Sequence, residues 1–264
     1  MAKTVRNLLY VVSAVQVILA IAFFLQLPAV VNLWPFEGTT PLTFMFVASI
    51  YAAAAASTFW AAATENYGAL AGIGLDYVVM LTPVSIVLFQ MGASGGLRLI
   101  VYGAAFLLAA LLGLGLLVWS MRIPLDRTLP LPGLVRWSFV IFILALLMVS
   151  TLLIWKAPNI IPWTITPELS VVIGWMFFGA AAYFVYTLLR PSWLNAAGQL
   201  AGFLAYDAVL IVPFLTRLPT VAPELRLNLI IYTLVVSYSG LLAIYYLFIH
   251  APTRLWGRSP APRP

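Results

Sequence analysis

The chain has 264 residues, of which 64% are hydrophobic and 8% charged, with a mean hydropathy of +1.08. Soluble domains run about 45–50% apolar and about 25% charged, so composition excludes a water-soluble protein. The absence of cysteine and the single histidine, His250, exclude disulfides, thiol catalysis, iron–sulfur clusters, thiolate zinc sites and paired-histidine ligation within the chain. No cofactor and no metal are expected.

Eight apolar segments follow in order, near 7–32, 41–63, 67–92, 98–121, 134–155, 168–189, 194–216 and 227–249. At about 1.5 Å per helical residue each is long enough to cross a hydrocarbon core of about 30 Å. Breakers separate them: Trp34-Pro35 to Pro41, Thr64-Glu65-Asn66, Gly92 to Gly96, Pro124 to Pro132, Pro158 to Pro167, Arg190-Pro191 and Pro219 to Pro223. The expected fold is therefore an all-α integral membrane protein with eight transmembrane helices. Lys3 and Arg6 before the first apolar run mimic a signal peptide, but the run exceeds an h-region of about 7–15 residues. It is read as a retained helix.

The net charge of +6 sits at segment ends, where it sets topology and meets anionic headgroups; nucleic acid is not an expected partner. With eight spans, Lys3, Arg6, Arg122, Arg127, Arg136, Arg190, Arg254, Arg258 and Arg263 share one side, against Arg98, Lys156, Arg217 and Arg226 on the other. That excess puts both termini in the cytoplasm. Trp34, Trp155 and Trp163 fall at outer ends and Trp60, Trp119, Trp137, Trp193 and Trp256 at inner ends, as interfacial belts do. Trp175 alone lies well inside a span.

The two halves align at an offset of 130. Leu70/Leu200, Ala71/Ala201, Gly72/Gly202, Val79/Val209, Pro83/Pro213, Leu97/Leu227, Leu99/Leu229, Ile100/Ile230 and Tyr102/Tyr232 are identical without a gap. After a four-residue shift, Thr40-Pro41 aligns with Thr166-Pro167, where Thr caps a helix that accepts proline in its first turn. A duplication predicts two parallel four-helix repeats about an axis along the membrane normal. The organisation read from this is a first repeat at 1–123, a cytoplasmic linker at 124–133, a second repeat at 134–256 and a short basic Pro-rich tail at 257–264.

The stretch from Leu33-Trp34-Pro35 to Thr40-Pro41-Leu42-Thr43, echoed by Pro162-Trp163-Thr164-Ile165-Thr166-Pro167, resembles the repeated Trp-Pro-Trp…Thr-Pro-Leu-Thr pattern of uncharacterised bacterial polytopic membrane proteins. It covers two loop-plus-helix units. The first copy departs at Phe36-Glu37-Gly38, and the second has Glu168 in place of Leu. The resemblance implies a multi-pass protein of a bacterial cytoplasmic membrane, with no established activity attached.

Two acids lie deep in spans, Asp76 in the third and Asp207 in the seventh, flanked in opposite order as Asp76-Tyr77 and Tyr206-Asp207. An ionisable group near the bilayer centre costs on the order of 2.5–3.5 kcal/mol on insertion scales. Such groups face the bundle interior and mark ion or proton paths. The plainer reading is a protonated acid bonded to a neighbouring Tyr, Ser or carbonyl as interhelical glue. Pro83 and Pro213 follow each acid by about two turns and free a carbonyl, as a kink that either packs or lines a site. The candidate ion, proton or substrate site is thus Asp76, Asp207, Tyr77, Tyr206, Pro83 and Pro213. Asp76-Tyr77 to Thr82-Pro83 is faintly similar to the third helix of microbial rhodopsins, but the only lysines, Lys3 and Lys156, lie outside the spans, which excludes a retinal Schiff base.

Gln16, Gln26, Gln90, Gln199 and Asn195 are single polar groups suited to interhelical hydrogen bonds or interfaces, and Ala52 to Ala56 and Gly179 to Ala182 allow close helix approach. His250 and the basic Arg254, Arg258 and Arg263 belong at the interface.

Three functions stay open. A small proton- or cation-linked transporter or channel would place both acids around one cavity. A non-catalytic accessory or scaffold subunit, in a homo-oligomer or on a protein partner, would have a filled core. An intramembrane enzyme on a lipid, isoprenoid or quinone would show a lateral opening with convergent polar groups, yet no segment holds two acids within a helical turn and no catalytic or metal motif is present.

Overall fold

A computed structural model describes residues 2–36, 40–125 and 127–255. Trp256, Arg258, Arg263 and the tail at 257–264, with Glu37 and Gly38 of the first Trp-Pro loop, lie outside the described residues. Eight long helices carry the fold: α1 (Ala2–Phe24), α2 (Pro41–Ala63), α3 (Leu70–Gly95), α4 (Leu97–Met121), α5 (Gly133–Ile154), α6 (Pro167–Leu189), α7 (Trp193–Arg217) and α8 (Pro223–Ile244). All eight are long and apolar enough to span a bilayer, and no strand occurs among the described residues. The protein is a multi-pass membrane protein.

The ends of the helices follow local chemistry. α1 stops eight residues short of the predicted segment. Gln26 enters the left-handed region at φ 51°, while Leu27 N–H bonds the Ala22 carbonyl at 2.9 Å and Gln26 N–H bonds Phe23 at 3.0 Å, a Schellman end. Pro28 then opens a separate short helix, Pro28–Val31. The pattern recurs 130 residues on, where Lys156 has φ 59° and Ala157 and Lys156 bond Leu152 and Leu153, each at 2.9 Å. α8 begins four residues earlier than predicted because Pro223 occupies its first turn, and it ends in a π-helical turn, Tyr245–Ile249. Thr166 caps α6, its hydroxyl accepting from Leu169 N–H at 3.3 Å. The Thr40 hydroxyl instead meets that of Thr43 at 3.4 Å.

The helices pack in pairs that repeat between the halves. α1 lies on α2 and α5 on α6; α2 crosses to α7 and α6 to α3; α3 carries α4 and α7 carries α8. Small residues permit the approaches. A Cβ on Gly72 would strike the Tyr183 ring, and one on Gly202 would meet Ser57 Oγ at 2.5 Å. Ser57 donates to the Gly198 carbonyl at 2.9 Å and Tyr186 to the Gly68 carbonyl at 3.4 Å, so each crossing is tied by a hydroxyl on a glycine carbonyl. α3 and α4 come closest: a Cβ on Gly74 would sit 2.7 Å from both the Gly113 carbonyl oxygen and the Leu117 nitrogen.

Two buried clusters fill the ends of the bundle. One gathers Phe46, Leu88, Trp163, Leu169 and Phe214; the other gathers Phe139, Phe184, Trp193, Leu200 and Leu242. The exposed Arg6–Glu65 ion pair at 2.6 Å ties α1 to the α2–α3 connection.

Because backbone faces backbone at Gly74, Gly74→Ala should cost about 1–3 kcal/mol, the usual penalty for overpacking. Gly115→Ala on α4, where a Cβ meets nothing within 4 Å, is the control. Thermal unfolding in detergent should drop for the first and stay put for the second.

Candidate functional site

Between the two end clusters lies a cavity of about 420 Å³, lined by α2, α3, α5, α6, α7 and α8. Asp76, Tyr77, Tyr206 and Asp207 all line it. Four of the six residues singled out in the sequence therefore come together. Pro83 and Pro213 do not: both lie within their helices, half-buried, and neither they nor Val79 and Val209, whose carbonyls they free, reach the cavity wall.

Each acid is held by a feature of a facing helix. On α3, Asp76 sits against Gly179 of α6, where any Cβ would collide with Asp76 Oδ1 and approach Met80 Cβ at 2.9 Å. That oxygen is buried without a hydrogen-bond partner. On α7, Asp207 is 4% exposed; Ser239 Oγ of α8 donates to its Oδ2 at 2.8 Å, and its Oδ1 has no partner. A Cβ on Gly240, beside Ser239, would lie 3.4 Å from Oδ2 of the same carboxyl. Interhelical bonding thus accounts for half of one acid and for none of the oxygen buried at the other.

The phenols are tied outward from the acids. Tyr77 accepts from Gln16 Nε2 of α1 at 2.9 Å. The Tyr206 hydroxyl pairs with that of Tyr232 on α8, and its ring stands edge-on to Phe46 at 6.3 Å. The reversed order of the Asp-Tyr pairs explains the difference, since neighbouring helical residues point about 100° apart. Asp76 and Tyr206 are 130 apart, and so are Tyr77 and Asp207. At the second position of each pair, Tyr77 accepts from Gln16 and Asp207 accepts from Ser239.

The rest of the wall is mostly apolar and aromatic, with Phe46, Phe142, Phe177, Phe184 and Phe203, joined by Ser57, Gln199, Asn228 and the phenols Tyr183 and Tyr232, and it contains no Lys, Arg or His. No group of three or more metal-ligating side chains exists among the described residues. The arrangement suits a ligand with an apolar body and a positive or proton-donating group.

Sequence reasoning missed Tyr183, Tyr232 and Ser239. Tyr232 already stood out as an identity with Tyr102, and Gly179 as part of a small-residue run. Ser239 carried no signal, because a lone serine in an apolar helix more often bonds its own backbone, as Ser239 also does to Val235 at 2.9 Å. Of the other polar groups, Gln199 accepts from Thr187 at 3.0 Å, Asn195 donates to the Arg190 carbonyl at 3.1 Å, Gln90 is exposed and Gln26 serves the α1 end. His250 Nδ1 lies 2.9 Å from Thr253 Oγ1.

Comparison with protein-family models, curated proteins and solved structures gives no match.

The Ser239–Asp207 bond should show in a double-mutant cycle. Ser239→Ala should lower unfolding stability by about 1–3 kcal/mol in the native background and by far less when Asp207→Leu is already present, a non-additivity that denaturation in detergent can measure.

Proposed function

We propose that the protein is a small proton- or cation-linked transporter whose central cavity is the transport site and whose coupling groups are Asp76 and Asp207. One observation carries the reading: two acids from separate helices, α3 and α7, line a single cavity, and each keeps a buried oxygen unpartnered. A carboxylate without a partner in hydrocarbon costs several kcal/mol. Such a cost is tolerated where the vacancy has a use, and intramembrane acids around a cavity are the usual form of proton and cation paths. A scaffold subunit has no need of such a cavity.

The duplication belongs to the same proposal. Helix pairings repeat between halves, and the Schellman ends at Gln26 and Lys156 repeat at the offset of 130. Both support two parallel four-helix repeats, with the cavity near the axis between them. In this reading both termini are cytoplasmic, as the excess of Lys and Arg on one side supports, the membrane is a bacterial cytoplasmic one, and Arg254 lies near anionic headgroups.

Charge movement tests this. Proteoliposomes on a sensor electrode should give a transient charge displacement after an acidic pH jump, or after a sodium or potassium jump if a metal cation couples. Asp76→Asn combined with Asp207→Asn should remove it while leaving cooperative unfolding. Equal displacement in the double variant, or none in the native protein under all three jumps, would refute the proposal.

A further inference from the structure

The cavity is sealed unevenly. Aromatic clusters cap it toward both ends of the bundle, with Phe46 against Trp163 at 5.7 Å, Trp163 against Phe214 at 6.4 Å and Phe139 against Phe184 at 4.8 Å between ring centroids. Around its sides, α2 packs on α7, α3 on α6, α5 on α6 and α7 on α8. The backbones of α5 and α8 do not close on one another, although both line the cavity. Two polar clasps and one ring contact, Phe142 against Tyr238 at 6.0 Å between centroids, join α8 to α5 and to the loop after it. Ser138 Oγ lies 2.7 Å from the Tyr238 hydroxyl, and Asn228 Nδ2 donates to the Asn159 carbonyl.

Between these two clasps the lining runs out to the bilayer-facing surface. Met148 on α5 is 61% exposed, and Ile231 and Val235 on α8 are 50% and 40% exposed, yet all three line the cavity. Ala145, exposed and small, stands beside them. Between the clasps the slot is walled by apolar side chains, with Asn228 at one end. Water and hydrated ions are poorly served by such a passage, and a hydrocarbon chain is well served.

The interior asks for the opposite group. It holds two carboxyls with unpartnered oxygens and no basic side chain, and aromatic faces surround them. A cation supplies the missing counter-charge, and ring faces add attraction to an ammonium within about 6 Å. The volume, about 420 Å³, lies low in the range of about 300–1,000 Å³ for small-ligand pockets. It suits one single-chain molecule and is too small for a two-chain phospholipid.

We propose that the cavity takes a lipophilic amine from the bilayer, sideways through the slot between α5 and α8, with its ammonium turned to Asp76 and Asp207 and its hydrocarbon body along the aromatic wall. This names the substrate class of the transport site and rests on that reading. The closeness of the α3–α4 contact, against the looser α7–α8 one, has a basis in the sequence. Gly74 and Gly113 let α4 lie directly on α3; 130 residues on stand Leu204 and Ala243. Their side chains keep α7 and α8 from the backbone-to-backbone approach that Gly74 and Gly113 allow between α3 and α4.

The test uses the full chain in lipid nanodiscs and a photoreactive dodecylamine carrying a diazirine, with the matching photoreactive alcohol as control. Labelled residues are mapped by mass spectrometry. The amine should label Met148 and Val235 at the mouth and Met176 and Tyr232 inside, well above the alcohol. Asp76→Asn with Asp207→Asn should cut the inner labelling by about thirtyfold, the lower end for truncating one partner of a desolvated charge pair. Ala145→Trp, and independently Val235→Trp, should block inner labelling by filling the slot, each variant being checked for native thermal unfolding. Equal labelling by alcohol and amine, indifference to the Asn variants, or inner labelling that survives both Trp variants would overturn the proposal. Amine labelling without charge displacement would retire transport and keep the binding site; charge displacement without amine labelling would retire the amine and its route.

Discussion

Inside a bilayer a polar group has no water to fall back on, so every donor and acceptor must find its partner within the protein. Hydroxyls of this bundle meet that constraint on neighbouring carbonyls, while several buried side-chain atoms among the described residues have no hydrogen-bond partner. Ser13 reaches the Ala55 carbonyl at 2.8 Å, Ser170 the Leu153 carbonyl at 2.8 Å, and Ser57 the Gly198 carbonyl at 2.9 Å. The lapses are therefore informative, and the two acids are the costliest of them. Asp207 has Ser239 on one oxygen and nothing on the other. Asp76 rests on the bare backbone of Gly179, which makes room for a carboxyl and offers it no donor.

That glycine also shows how packing and chemistry are linked. Hydrophobic driving force between helices is weak in lipid, so association depends on close fit. The same small residues that let α6 approach α3, Gly72 and Gly179, bring Tyr183 and Asp76 to the cavity edge. Widening the crossing would loosen the bundle and move the acid together. The site is in this sense a product of the helix crossings rather than an addition to them.

Much of this was legible in the sequence. The spans were, because a stretch of about 20 apolar residues has few other uses. So were Asp76, Tyr77, Tyr206 and Asp207, since polar groups in apolar runs are conspicuous. The end of α1 was misjudged because hydropathy carries through Leu25 to Leu33, while the break comes from Gln26 in a left-handed conformation and from Pro28, both matters of backbone geometry. The prolines were overvalued for a related reason: Pro83 and Pro213 sit at matching positions in both halves, but which face of the helix they occupy depends on the crossing angles, and the cavity lies elsewhere. Ser239 was hidden because its value depends on which helix α8 faces.

The cavity itself could not be read from either half alone, because helices of both halves line it. A faithful duplicate of the first half would place glycines at 204 and 243, and α8 would then lie on α7 as closely as α4 lies on α3. It would also repeat the Gln16–Tyr77 bond, by which α1 covers the first half; the position 130 after Gln16 is Leu146, an apolar residue of the cavity wall. With Leu146 in that place, α5 has no polar reach toward Asp207, and Ser239 on α8 takes up the acid instead. Leu204, Ala243 and Leu146 thus stand where an offset of 130 has Gly74, Gly113 and Gln16, and each puts an apolar side chain where the earlier position has a bare backbone or a polar group.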